Sequence, residues 1–312
     1  MAERIVLIVN PTSTRVRPAL RAEVERALAP VGLAYVVATE RGGHAAELAA
    51  RAVAEQATTI VVLGGDGTVN EVAGAVAGSN IGLAALPAGS TNVFARALGW
   101  PHPAGRALHA VARALESPTW RTVRLGRVEA GSIDRVFCVN AGAGLDAETV
   151  HLIEARPWLK TRLRHGGFAG ATAVAAFRAS RRPPDLTVRV DDGPAEHLTS
   201  VVVACGAPYA YLGSRPLDLV PGADFGDRLR WIGMRSAHLT SVGRTVAGAL
   251  RGGRHIRLDS VSSGWACERI DATSDGPIAV QADGEPLGWH THIRFGPGPP
   301  LRALVATASD PR

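Results

Sequence analysis

The first hundred residues alternate between apolar runs of strand length and segments of helical spacing, a pattern that few folds other than a parallel α/β sheet can accommodate. Residues 4–9, 34–38, 59–63 and 81–86 are near-continuous apolar runs, as strands buried on both faces require. Between them, residues 17–28 place Leu20, Val24, Ala27 and Leu28 at helical spacing, and residues 43–55 form an alanine-rich helix with Thr39 just ahead of it. Further helices are expected from about residue 69 to 77 and from 92 to 98. The alternation predicts an α/β fold: an N-terminal parallel-sheet, three-layer domain.

After about residue 125 the character changes. Short β-rich runs at 124–129, 135–140, 186–190, 198–204, 229–232, 255–258, 269–272, 278–282 and 292–295 are separated by Gly, Pro and Asp turns. They predict a C-terminal antiparallel β-sandwich domain, interrupted by one basic helical segment at 157–182. The expected domains are 1–125 and 126–312, with the last strand free to return to the first domain.

A chain of 312 residues can bury two cores, and 46% apolar with 20% charged residues excludes a disordered polypeptide. Lys160 is the only lysine, so any side-chain contact to phosphate falls to arginine. The net charge of +6 suits an anionic membrane or a polyanionic small substrate, or is simply a mildly basic surface. No dense basic run with interleaved aromatics is present, so nucleic acid is not an expected partner. Cys138, Cys205 and Cys267 lack metal-ligand spacing and are odd in number, which suits buried thiols in a reducing cytosol. The opening apolar run is too short for a signal peptide, and residues 198–214 are broken by Gly206 and Pro208. Neither reads as a membrane span.

In an open parallel sheet, ligands bind beyond the carboxyl ends of the strands. Three unusual turns stand there: Asn10-Pro11-Thr12-Ser13, Gly64-Gly65-Asp66-Gly67-Thr68 and Pro87-Ala88-Gly89-Ser90-Thr91-Asn92. The glycines let the backbone approach a phosphate, and the helix that follows aims its N–H groups at the same anion. Asp66 would repel a polyphosphate unless a cation lay between them, which points to Mg²⁺ held directly or through water. Asn70 and Glu71 could hold ribose hydroxyls or the metal's water shell, or Glu71 could cap a helix. The turn matches neither G-x-x-x-x-G-K-[ST] nor G-x-G-x-x-G. The residues alone lead to a magnesium–nucleotide site of an uncommon type.

Residues 64–72 (GGDGTVNEV), 86–99 (LPAGSTNVFARALG), 140–150 (NAGAGLDAETV), 211–229 (YLGSRPLDLVPGADFGDRL) and 281–288 (QADGEPLG) occur in this order over nearly the whole chain. Together they resemble the diacylglycerol kinase catalytic family, in particular its bacterial soluble lipid kinase branch. The resemblance implies an ATP-dependent lipid kinase acting on diacylglycerol or a related lipid, with both substrates bound between the two domains. It implies nucleotide contacts at Thr39, Gly64, Gly65, Asp66, Gly67, Thr68, Val69, Asn70 and Ser90. It puts the general base on Glu285, with Asp283 beside it, and a structural Mg²⁺ near Asp227 with the backbone of Asp224 and Leu229. On spacing alone, Asp283-Gly284-Glu285 also reads as a hairpin turn.

Two positions depart from the family. Its G-T-G-N-D-F is Gly89-Ser90-Thr91-Asn92-Val93-Phe94 here, and the Asp-Gly expected at the structural metal is Asp227-Arg228. The alternatives are a sphingoid-lipid kinase, an NAD kinase-like enzyme, or a weakly catalytic nucleotide or lipid sensor. The NAD kinase motif D-G-x-x-x-x-T-P-T-G-S-T is missing, and the retained Asp66 and Glu285 argue against a sensor. Phosphoryl transfer then assigns charge neutralisation to Mg²⁺ with Asp66 and proton abstraction to Glu285. The expected location is cytoplasmic; the basic, partly apolar segment from Arg156 to Arg182 suits peripheral contact at the inner membrane face, although a solvated helix face is the commoner outcome for such a segment. A homodimer is compatible with the sequence.

Overall fold

The computed structural model describes residues 3–101, 104–155, 164–181 and 185–306. It divides into two compact units, Met1–Val123 with Pro299–Arg312, and Arg124–Gly298.

The first unit is built on a parallel sheet of β1 (Ile5–Val9), β2 (Leu33–Ala38), β3 (Thr59–Gly64) and β4 (Gly82–Pro87) in the order β4-β3-β1-β2. Every residue of β1, β3 and β4 is buried, whereas β2, at the edge, is mostly half-buried. Burial on both faces is why these runs lack the alternation of a one-sided strand. The helices are α1 (Pro18–Leu28), α2 (His44–Ala54), α3 (Asp66–Val76), α4 (Val93–Ala97) and α5 (Ala104–Glu116); α1 packs with α5 and α2 with α3. Pro18 opens α1, where its missing N–H costs no helical bond.

The second unit is antiparallel. It contains β5 (Trp120–Ala130, from Arg124 onward), β6 (Ile133–Phe137), β7 (Asn140–Gly144), β8 (Leu186–Val190), β9 (Ala195–Leu198), β10 (Ser200–Ala204), β11 (Ala210–Leu212), β12 (Arg215–Leu217), β13 (Leu229–Met234), β14 (Val261–Cys267) and β15 (Ile270–Ala282). The strand path runs β14-β13-β10-β7-β15-β16, where β16 (Glu285–Leu304) leaves this unit at Gly298 and continues into the first. There, Arg302 and Ala303 pair in parallel with Gly82 and Leu83 of β4. Helices α6 (Leu145–Glu154), α7 (Arg164–Ala179) and α8 (Leu239–Ala249) close one core around Leu145, Ala175, Ala176, Ala237 and Val242. The α/β domain followed by an antiparallel sandwich-like domain is thus the observed architecture.

Several local expectations are corrected. Residues 255–258, expected as a strand, form a 3₁₀ turn (Arg254–Arg257), because Gly252 and Gly253 at φ 74° and 80° wind the chain into α8's C-terminal side. There His255 is buried and its Nε2 lies 2.8 Å from the Leu219 carbonyl. The run 135–140 is two strands, β6 and β7, and the runs 269–272 and 278–282 are one, β15. Helix α3 begins at Asp66, ahead of the expected residue 69. Of the basic segment, Arg156, Trp158, Leu159, Lys160, Arg162, Leu163 and Arg182 lie outside the described residues. Among the described residues, no helix is long and apolar enough to cross a membrane.

Candidate active site

Side-chain and backbone hydrogen bonds and a close backbone approach tie the turns after β1, β3 and β4 into one structure. Asn10 donates from Nδ2 to Thr68 Oγ1 at 2.8 Å, while its Oδ1 accepts from the Thr12 amide and hydroxyl at 3.0 and 2.8 Å. The Ala88 amide donates to Gly64 O and the Arg15 amide to Ala88 O, both at 3.0 Å. A Cβ on Gly89 would lie 2.6 Å from Gly65 Cα, and one on Gly64 would lie 2.9 Å from Thr68 Cβ. Both positions therefore require glycine for close approach. Asn92, at φ 51°, closes the third turn by accepting from Gly89 N at 2.7 Å and donating to Gly89 O at 2.9 Å.

Asp66 is the hub. Its Oδ2 accepts from the Thr91 hydroxyl at 2.9 Å and its Oδ1 from Phe94 N at 3.3 Å, with the Val93 and Asn92 amides also pointing at it. Burial pushes this carboxyl above its ordinary range, while those hydrogen bonds pull the other way. The carboxylate therefore caps α4 and joins the second turn to the third. Each oxygen thus accepts a hydrogen bond from the protein and keeps further lone-pair capacity.

Because α3 starts at Asp66, Asp66, Gly67 and Thr68 are the first turn of an 11-residue helix, whose leading N–H groups have no partner within the helix. That is an anion-binding geometry. Thr68, Val69 and Asn70 are buried, Ser90 is exposed, and Thr39 is buried at the end of β2 with its amide donating to Val9 O at 2.8 Å. Glu71, left open between ligand and cap, is a cap for the neighbouring helix: it accepts from Gly43 N at 2.9 Å and Ala45 N at 3.0 Å, at the start of α2.

In the second unit, Asp283 and Gly284 form a two-residue hairpin between β15 and β16, at φ 47° and 79°. Positive φ at both positions is the signature of a tight hairpin turn. Asp283 does more than turn the chain. Its carboxylate accepts from the amides of Cys138, Val139 (2.8 Å) and Asn140 (3.0 Å), and its own amide donates to Asn140 O at 2.8 Å. The turn is thereby bolted to the loop entering β7. Glu285, the next residue after the turn, is partly exposed and ion-paired with Arg135.

Beneath the turn lies a buried polar chain that sequence reading missed. The Gly284 amide donates to Gln281 Oε1 at 2.9 Å, and Gln281 Nε2 donates to Asp146 Oδ2 at 2.8 Å and Asn140 Oδ1 at 3.3 Å. The Tyr209 hydroxyl donates to Asp146 Oδ1, and Asn140 Nδ2 to Tyr209 O at 3.1 Å. Burial raises the Asp146 carboxyl, and burial with the Asp146 charge raises the Tyr209 phenol well above its usual value. Gly142 is needed here, since a Cβ would fall 2.5 Å from Asp146 Oδ2.

The implied structural metal site does not fit its residues. Asp227 is ion-paired with Arg124 at 3.0 Å, and the Leu229 carbonyl accepts from Cys267 Sγ at 3.3 Å. Asp224 uses Oδ1 to accept from Gly226 N at 3.2 Å. Among the described residues there is no group of three or more His, Cys, Asp or Glu that could hold a metal ion.

Residues 4–128 match the diacylglycerol kinase catalytic domain, and residues 139–298 match the YegS C-terminal NAD kinase beta sandwich-like domain. A diacylglycerol kinase of Staphylococcus saprophyticus subsp. saprophyticus is 30% identical over 293 residues, covering 91% of this chain and 90% of that one. A Pseudomonas fluorescens protein named probable lipid kinase YegS-like is 29% identical over 299 residues, covering 95% and 93%. The crystal structure of a diacylglycerol kinase from Bacillus anthracis str. Sterne superposes with a TM-score of 0.63 at 19% identity, covering 99% of this chain and 98% of that one, a likeness of fold. With the phosphate-type turn of the first unit and the bolted Asp-Gly-Glu hairpin of the second, these matches make the chain a lipid kinase that belongs to the diacylglycerol kinase catalytic domain family.

Proposed function

We propose that this lipid kinase transfers the γ-phosphoryl group of ATP to a hydroxyl of diacylglycerol or a related lipid. The observation that carries the reading is the locking of Gly64–Gly65, the first turn of α3 and Gly89 into one glycine-lined rim. Such a rim brings backbone N–H groups within reach of phosphate oxygens and supplies fixed partial charge where negative charge gathers. Thr39, Asn70 and Ser90 are proposed as further nucleotide contacts. Mg²⁺ enters as part of the donor, the MgATP complex, and supplies charge neutralisation on the phosphates.

In the proposed reaction the lipid hydroxyl oxygen forms a bond to the γ-phosphorus as the bond to the β–γ bridging oxygen breaks, and ADP leaves. The hydroxyl proton passes to Glu285, whose carboxylate Arg135 orients. Asp283, satisfied by three amides, acts as the anchor that fixes Glu285's position. Lipid access is supported by α7, where Val174 and Phe177 are exposed, and by the turn after it, from which Arg181 stacks over Phe177 at 4.2 Å. Such a mixed apolar and basic face suits peripheral contact with anionic lipid.

Incubation with γ-labelled ATP, Mg²⁺ and a total lipid extract should give one labelled phospholipid, whose identity names the acceptor. Glu285→Gln should lower kcat by about 10²–10⁴-fold while ATP still binds. Label appearing only in a water-soluble nucleotide, or wild-type turnover in Glu285→Gln, would reject the reading.

A further inference from the structure

The loop from Gly222 to Arg230 carries the residues that the family resemblance assigns to a structural Mg²⁺, yet the Asp227 carboxylate, the Leu229 carbonyl and Asp224 Oδ1 each have a protein partner. Arg124, the first residue of the second unit, reaches this loop twice from β5 and makes a third bond to Gly298. Its amide donates to Phe225 O at 3.0 Å, its Nη2 lies 3.0 Å from Asp227 Oδ1, and its Nη1 donates to Gly298 O at 3.4 Å. The loop's left-handed residue, Phe225 at φ 60°, is further held by its amide donating to Cys205 O at 2.6 Å and by its ring. That ring sits where a Cβ on Gly206 would come within 2.3 Å.

Charge points the same way. Asp227 is answered by Arg124, while Arg228 beside it pairs with Glu268 at 3.0 Å and donates to Ala266 O at 3.2 Å, and Arg230 stacks on Trp265 at 5.0 Å. Of these guanidinium groups, the one on Arg124 is the one that meets a carboxylate of the implied metal site. The Leu229 carbonyl, the remaining proposed ligand, faces the Cys267 thiol.

We propose that the Arg124 guanidinium stands in for the structural cation, so that this loop is built and held without a metal. The substitution is internal to the second unit and does not depend on which lipid is phosphorylated. It separates two uses of Mg²⁺: turnover needs it on the nucleotide, whereas folding does not need it at all.

The test uses the full chain, free of nucleotide. Thermal unfolding should give the same midpoint in EDTA and in millimolar MgCl₂, and Mn²⁺ used as a paramagnetic probe should show no stoichiometric site. A midpoint that falls in EDTA and recovers with Mg²⁺ would overturn the proposal, as would one bound Mn²⁺ per chain that disappears in Asp227→Asn. Arg124→Ala and Asp227→Asn should each lower the midpoint by about 1–3 °C, as an exposed pair does in a domain of this size. The double variant should fall no further than the more affected single one. Additive losses, or no loss in Arg124→Ala, would show that the guanidinium and the carboxylate do not act as a pair.

Discussion

Asp66 shows how one carboxylate can be legible in a sequence while part of its work is not. It stands beside the phosphate-type turn, as its string indicates, and its oxygens also cap α4 through Thr91 and Phe94. Asp66→Ala should therefore lose about 1–2 kcal/mol of stability in urea unfolding, as loss of a helix cap does. Asp66→Asn, which keeps an acceptor, should lose much less. If Asn keeps the fold but loses Mg²⁺-dependent turnover, the charge matters to the nucleotide; if both are kept, only the cap matters. Asp146 makes a complementary case. Burial raises its folded-state carboxyl above the unfolded value of about 4, so the folded protein binds this proton more tightly. Its contribution is present below that value and is lost as pH rises through the raised one. Against an Asp146→Asn control, wild-type stability should improve on going from neutral pH toward about pH 4; a pH-independent difference would refute this. The sequence showed Asp66, Asp283 and Glu285 because each sits in a short unusual string. It concealed the Tyr209–Asp146–Gln281 chain, whose members come from separate elements and look like ordinary core or surface positions until folding brings them together.

At the scale of elements, apolar runs were readable where one strand is buried on both faces, and unreadable where side chains are small. Residues 140–144, NAGAG, contain nothing that favours a strand, yet they pair with β10 on one side and β15 on the other. The reason is space: Gly142 and Gly144 would place a Cβ within 2.5 Å of Asp146 Oδ2 and 2.4 Å of Thr199 O. The early start of α3 has a similar cause, since Gly65 at φ −96° and ψ −178° is extended and the helix can begin at the next residue. Crowding between turns also gives a direct prediction. Gly89→Ala places its Cβ 2.6 Å from Gly65 Cα, backbone against side chain with no flexible atom to yield. The two turns must separate, and ATP affinity measured by calorimetry should fall by at least about tenfold, with the second unit's hydrogen-exchange pattern unchanged. Equal affinity in this variant would mean that the rim does not hold phosphate.

The whole molecule is two compact units joined by more than a linker, because the chain that leaves the first unit at Val123 re-enters it at Pro299. What returns is structural. Arg302 and Ala303 pair with β4, Leu304 O accepts from the Trp100 indole at 3.0 Å, and the Ala306 amide donates to Leu98 O at 3.1 Å. A chain ending at Gly298 leaves the buried Trp100 N–H without its acceptor, a loss of about 1–3 kcal/mol before the strand itself is counted. Such a truncation should show fast amide exchange in β4 and raised protease sensitivity around Trp100, while β10 and β13 stay protected. Slow exchange in β4 would show that the returning strand is dispensable. The same return sets an order of events during synthesis. Residues 5–87, which carry β1 to β4, leave the ribosome early, but β4 has no neighbour on its outer side until residues 299–306 have been made. The first unit is thus the first to be translated and the last to be finished, and a polypeptide abandoned partway carries an open sheet edge in place of a kinase.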